Sequence, residues 1–97
     1  MDCIWQIRVP NGYKIKITFN EFHLKGVDNK IGCLDYVDLR DGEHPFSTFY
    51  GRFCGNNNPG IIMSTSSKFR IIFHSSSPHN ETTAVGFSAS YESIGKN

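Results

Sequence analysis

The feature that most constrains this chain is the segment from residue 33 to residue 54, CLDYVDLRDGEHPFSTFYGRFC. Two cysteines bracket a strand-like apolar run, a charged turn at Asp41 and Gly42, and a second strand that ends on Gly51-Arg52-Phe53-Cys54. Such a segment reads as a β-hairpin stapled across its open end. A chain of 97 residues holds one domain, and a domain this short gains from covalent reinforcement. Closing a loop of this length stabilises the fold by about 3 kcal/mol in the chain-entropy model. That is a large share of the stability of a small domain. Three cysteines are an odd number, and their spacings fit neither a zinc knuckle nor a C-x-x-C redox pair. The better reading is a disulfide framework with one mate missing, in an oxidising compartment.

Around the staple the chain is punctuated by turns. Pro10-Asn11-Gly12 separates a first strand over residues 4–9 from the clearest alternation in the sequence, Tyr13, Ile15, Ile17 and Phe19 against Lys14, Lys16 and Thr18. That period of two puts four large apolar groups on one face and lysines in water. Residues 22–25 continue as a short strand, and Asp28-Asn29-Lys30 reads as a polar loop. After the staple, the run Asn56-Asn57-Asn58-Pro59-Gly60 is a surface loop by its turn chemistry. Ile61-Ile62-Met63 reads as a short buried run; Phe69, Ile71 and Phe73 form another alternating strand. Residues 75–85 read as a long polar loop, before a last strand in which Phe87, Ala89 and Tyr91 alternate with Ser88, Ser90 and Glu92. Nowhere do apolar residues recur with helical spacing over three turns. Seven or eight short strands separated by turns predict an all-β antiparallel sandwich.

Composition narrows the function classes. The formal charge is +1, so no global field draws in nucleic acid or an anionic membrane surface. No apolar run reaches transmembrane length, and Met1-Asp2-Cys3 lacks the basic start and apolar core of a signal peptide. A secreted-looking domain without a signal is expected to be a piece of a larger protein. His23, His44, His74 and His79 have no histidine or cysteine at ligand spacing. The serines at 75–77 lack a nucleophile elbow or oxyanion glycines. No catalytic residue is expected, and the chain is read as a non-enzyme.

At this point nine short motifs, taken in order, resemble the CUB domain. This is an extracellular β-sandwich module of complement proteases, developmental metalloproteases, cubilin-like endocytic receptors and spermadhesins. Cys3-Ile4-Trp5-Gln6-Ile7 is similar to the family's C-x-W-x-I, and Pro10-Asn11-Gly12-Tyr13-Lys14-Ile15 to its P-x-G-x-x-I. Phe19-Asn20-Glu21-Phe22-His23-Leu24 is similar to F-x-x-F-x-L. Then follow Cys33-Leu34-Asp35-Tyr36-Val37, Asp41-Gly42, Gly51-Arg52-Phe53-Cys54-Gly55, and Pro59-Gly60-Ile61-Ile62-Met63-Ser64, which is similar to P-x-x-I-x-S. Phe69-Arg70-Ile71-Ile72-Phe73 and Gly86-Phe87-Ser88-Ala89-Ser90-Tyr91 complete the series. The resemblance implies a jelly-roll-like CUB topology over residues 1–92, with 93–97 as linker or tail. It also implies a Cys33 to Cys54 bridge. The family's earlier cysteine and N-terminal strands have no counterpart here, so an N-terminally truncated domain is expected, with Cys3 unpaired. Such a domain would leave a sheet edge open and tend to dimerise through Cys3 or that edge.

Many CUB domains bind calcium through three acidic positions. Asp35 matches one, but Lys25 and Ser76 stand where the other two are expected. An ammonium and a hydroxyl in place of two carboxylates remove most of the attraction for a hard cation. The resemblance therefore implies no cofactor and a degenerate calcium site. A rearranged site drawing on Glu21, Asp28 or Asp38 is the weaker reading.

Trp5 and Phe49 are expected in the core. For Phe46 and Tyr50, which flank a turn, core and surface stay open. Phe46, Tyr50, Arg40 and Arg52 are candidate partner-binding residues, against the default of a solvated rim for Arg40, Asp41, Glu43 and Arg52. Asn80-Glu81-Thr82 is a glycosylation acceptor in an expected loop. The favoured function is a non-catalytic extracellular protein–protein interaction module of a mosaic protein, with other extracellular proteins as partners. The alternatives are a glycan-binding spermadhesin-like domain and an accessory domain of a modular secreted protease.

Overall fold

The computed structural model describes residues 2–24, 27–28, 32–75 and 86–95. All regular structure among them is strand. Alternating apolar residues drive this, because one face of each strand must leave water and the other can remain in it. The strands are β1 (Asp2–Arg8), β2 (Lys14–Phe22), β3 (Val27–Asp28), β4 (Gly32–Cys33), β5 (Tyr36–Asp41), β6 (Thr48–Phe53), β7 (Ile61–Met63), β8 (Lys68–His74) and β9 (Phe87–Ile94).

Two antiparallel sheets form the sandwich. One has the order β1-β8-β5-β6 and the other β7-β2-β9; β3 and β4 make a separate short ladder. The buried faces supply one core: Ile15, Ile17, Phe19 and Phe22 from β2, Ile62 from β7, and Ile7, Val37, Leu39, Phe69, Ile71 and Phe73 from the facing sheet, with Leu24 beside them. Phe19, Phe22 and Phe73 each place their rings 5.8 to 6.1 Å from Phe87 or from one another. These are the tilted and edge-on separations that aromatic quadrupoles favour.

Gly86 admits β9 to this position. A Cβ there would collide with the His23 carbonyl oxygen, whereas the glycine lets its own carbonyl accept the His23 amide at 2.6 Å. Ser64 joins the layers' ends: its buried Oγ accepts the Ile15 amide at 2.8 Å and donates to the Ser66 carbonyl at 2.5 Å.

Several sequence expectations change. Tyr13 is exposed, because β2 begins only at Lys14, so the inward face of β2 carries three of the four expected residues. In β7, Ile62 is buried while Ile61 and Met63 face outward, as period-two alternation requires on an edge strand. Trp5 is 43% exposed and Tyr91 56%, although both lie on core-side rows of their strands. They sit on the outermost strands of the two sheets, β1 and β9, where no further strand among the described residues covers them. β9 runs to Ile94, so the first two residues of the expected tail belong to the sheet.

Candidate interaction surface

The bridge between Cys33 and Cys54 is formed, with the Cα atoms 5.8 Å apart. It ties the end of β4, just ahead of β5, to the residue that follows β6, and Cys3 carries a free thiol. The staple thus holds the open end of a hairpin whose opposite end is the turn over residues 42–47.

That turn is built by local chemistry. Asp41 closes β5, with both carboxylate oxygens 3.2 Å from the Thr65 amide and one accepting the Thr65 hydroxyl at 2.7 Å. Gly42 follows at φ 144°, and a Cβ there would run into the Ser47 side chain, so glycine is required on both counts. Ser47 Oγ accepts the His44 amide at 2.9 Å while the Ser47 amide donates to the His44 carbonyl at 3.0 Å.

Three strands then pin the turn to the outer face of the sheet. Arg40 on β5 donates to the Ser47 carbonyl at 2.9 Å. Arg70 on β8 donates to the Glu43 carbonyl at 3.2 Å, and Gln6 on β1 reaches the same oxygen at 3.4 Å. Lys68 Nζ lies 3.6 Å from Glu43 Oε1. Gln6, Arg70 and Arg40 are neighbours in one row of the sheet, which is why residues so distant in sequence converge on one turn.

What this brace presents is aromatic. Phe46 is 81% exposed and lies parallel to the His44 ring, with centroids 4.8 Å apart and 5° between the planes. Phe49, expected in the core, is 47% exposed. A register shift between Leu39 and Arg40 leaves Tyr50 as the extra residue of a bulge and sets Phe49 opposite Arg40, whose guanidinium lies 5.0 Å from its ring centroid. Tyr50 is exposed too, its ring edge-on to Phe69 at 6.3 Å. The exposed residues His44, Phe46, Phe49 and Tyr50 therefore share one hairpin.

Arg52 has a different position. Its Nε and Nη2 fork onto the two carboxylate oxygens of Asp38 at 2.7 and 2.8 Å, and its guanidinium sits 3.8 Å from the Tyr36 ring centroid. The hydrogen bond to Asp38 raises the Arg52 pKa above its ordinary value, against partial burial, which pulls the other way. His74 stacks on the same tyrosine at 4.8 Å. Since β8 and β6 flank β5 on opposite sides, Tyr36 is clasped between them.

The remaining sequence candidates separate. Asp35 is half-buried and makes interactions of its own. Lys25, Ser76, His79 and Asn80 lie outside the described residues. His23 Nδ1 is 3.0 Å from the Asn56 side-chain oxygen, so three of the four histidines sit against polar or aromatic neighbours. No group of three metal-ligating side chains occurs among the described residues. The brace formed by Gln6, Arg70 and Lys68 was not foreseen, since only strand register brings them to Glu43.

Comparison with known proteins places this geometry. The profile of the CUB domain matches residues 1–91. Tolloid-like protein 2 of Homo sapiens is 36% identical over 90 residues, covering 93% of this chain and 8% of the relative. Bone morphogenetic protein 1 of Xenopus laevis is 35% identical over 96 residues, covering 99% and 13%, and cubilin of Canis lupus familiaris is 36% identical over 73 residues, covering 75% and 2%. Among solved structures, the CUB1-EGF-CUB2 domain of human MASP-1/3 superposes with a TM-score of 0.75 at 29% identity, over 98% of this chain and 36% of that one. The chain thus spans only a small fraction of the relatives it matches. Those relatives are secreted or extracellular, the disulfide suits that compartment, and the domain is extracellular. On the strength of a profile match over nearly its whole length, this chain belongs to the CUB domain family, whose domain is a non-catalytic module.

Proposed function

We propose that the chain is a protein–protein interaction module of a larger mosaic protein, and that it contacts its partner through the tip of the β5–β6 hairpin. The observation that carries this reading is Phe46: a ring left 81% in water on a turn that three other strand positions hold in place. Leaving a phenyl group exposed forgoes its burial in the core, and holding it rigidly lowers the entropy lost when a partner covers it. Aromatic side chains on such supports are the common anchors of interfaces. Arg40 and Asp41 support the tip from within, and Arg52 holds the sheet beneath it.

The test is capture from extracellular medium of cells expressing relatives of this family, using the immobilised domain and its Phe46→Ala variant side by side. A protein retained by the parent and weakened about thirtyfold or more by the substitution supports the reading. A partner retained equally by both places the contact elsewhere and refutes it.

The flat His44–Phe46 pair favours one second reading, a glycan contact by ring stacking. A glycan array separates the two: sugar binding lost in Phe46→Ala assigns the tip to carbohydrate. The tolloid-like and bone morphogenetic protein 1 relatives support a place for the domain in a modular secreted protease, as an accessory part without chemistry of its own.

A further inference from the structure

β5 and β8 are the two inner strands of the four-stranded sheet, and on its outer face their register sets Arg40 directly opposite Arg70. Like charges so placed repel each other. Neither guanidinium has a carboxylate against it among the described residues. Arg40 gives one hydrogen bond to the Ser47 carbonyl and Arg70 one, through Nη1, to the Glu43 carbonyl. Arg70 Nε is shut off from solvent with no hydrogen-bond partner, an omission rare enough in folded proteins to call for a reason. Two residues earlier on β5, Asp38 shows the ordinary arrangement, with Arg52 forking Nε and Nη2 onto its two oxygens at 2.7 and 2.8 Å. The same edge of Arg70 makes no such fork.

The carboxylates closest in the chain are engaged elsewhere. Asp41 is taken up by the Thr65 amide and hydroxyl, and Glu43 turns its carboxylate to Lys68 at 3.6 Å and His44 at 3.8 Å. Only backbone oxygens are left for the two arginines. Each guanidinium carries five N–H groups, so most of their donors are unspent. Both residues are half-buried, and Arg40 lies 5.0 Å from the ring centroid of Phe49. The base of the aromatic tip is therefore a paired cation with a gap where an oxyanion belongs.

We infer that this pair receives a carboxylate from the protein that the tip contacts, an aspartate or glutamate side chain beside the apolar group that covers Phe46. The inference rests on the reading of the hairpin tip as the interaction surface. A carboxylate between the two arginines replaces their repulsion with charge-assisted hydrogen bonds, and its two oxygens match the edge that Arg70 leaves unused. On its arrival Arg70 exchanges its bond to the Glu43 carbonyl for the fork, which brings Nε out of its sealed position. Gln6 still reaches that carbonyl oxygen at 3.4 Å, so the turn keeps a tether. Glu43 is the internal rival, a carboxylate held next door on Lys68.

Nitrogen-15 NMR of the arginine Nε–H groups, titrated with acetyl-tetraglutamate amide, tests this without the partner in hand. The expected result is a saturable movement of the Arg40 and Arg70 signals below about 10 mM peptide, while Arg52 stays still because its fork is filled by Asp38. Arg70→Gln should weaken binding about tenfold. Lys14→Gln, an equal loss of charge at an exposed position of β2, should leave it unchanged. Glu43→Gln keeps the backbone carbonyl, removes the rival carboxylate and should tighten binding; the dispersion of each spectrum shows that the variant is folded. No saturation below about 10 mM, a parallel movement of every arginine signal, or equal losses in Arg70→Gln and Lys14→Gln overturns the inference. So does a heparin-derived tetrasaccharide that moves the same two signals at lower concentration, which assigns the pair to a sulfated glycan. A partner captured through Phe46 with no peptide titration refutes the carboxylate and leaves the tip; a peptide titration with a partner indifferent to Phe46→Ala refutes the tip instead.

Discussion

Arg52 grips Asp38 with two nearly parallel hydrogen bonds, 2.7 and 2.8 Å long, across the β5–β6 pair. Asp38 is buried, at 9% exposure, while the arginine is about half in water, so the carboxylate is the member that cannot do without its partner. Arg52→Ala is expected to destabilise the domain by about 1–2 kcal/mol by stranding that carboxylate, with the Coulomb part screened by solvent. Arg52→Lys should recover only part, because an ammonium cannot reproduce the fork. Folding raises the Arg52 pKa, so the stability it contributes is complete below the ordinary arginine range and is lost only as pH rises through it. Urea titrations at neutral and mildly alkaline pH should give the same loss for Arg52→Ala.

Ser64 offers a sharper test of a single atom. Its Oγ is the acceptor for the amide of Ile15, a fully buried residue 49 positions away. Ser64→Ala leaves that amide without a partner and should cost about 1–3 kcal/mol. Denaturant unfolding measures the loss, and faster hydrogen exchange of the Ile15 amide locates it.

The staple should matter at the level of the whole fold. The Cys33–Cys54 bridge spans 21 residues, and replacing both cysteines by alanine is expected to lower stability by about 3 kcal/mol. An equilibrium unfolding curve of the double variant checks this, and the parent in reductant should move the same way.

Calcium should have no effect. A ligand that binds only the folded state raises its stability by mass action, so saturating the medium to about 1 mM calcium, the affinity range of extracellular modules, is expected to leave the melting temperature unchanged. A rise of several degrees would reveal a site rebuilt around Asp35.

Much of the architecture was legible in the sequence. Ile15, Ile17 and Phe19, and likewise Phe69, Ile71 and Phe73, alternate with polar residues, and that alternation is a local property that survives into the sheets unchanged. The hairpin of residues 33–54 was legible for the same reason, since turn chemistry and its bracketing cysteines lie close in sequence. By sequence alone Trp5 and Phe49 read as core, because a large aromatic on an inward row or beside a strand is usually covered. Whether it is covered depends on which strand lies at the edge and where a bulge falls, and neither is written locally.

The amino-acid sequence by itself determined the all-β class, the staple and the family, because these rest on short-range patterns and on motifs in fixed order. Tertiary structure alone decided the surface. Arg70, Gln6 and Lys68 reach Glu43 only because β1, β8 and β5 lie side by side in one register, and Phe46 is held exposed only because they do. Hydrogen bonds between residues tens of positions apart carry no periodicity to read, so the brace, and the functional reading that depends on it, came from the fold.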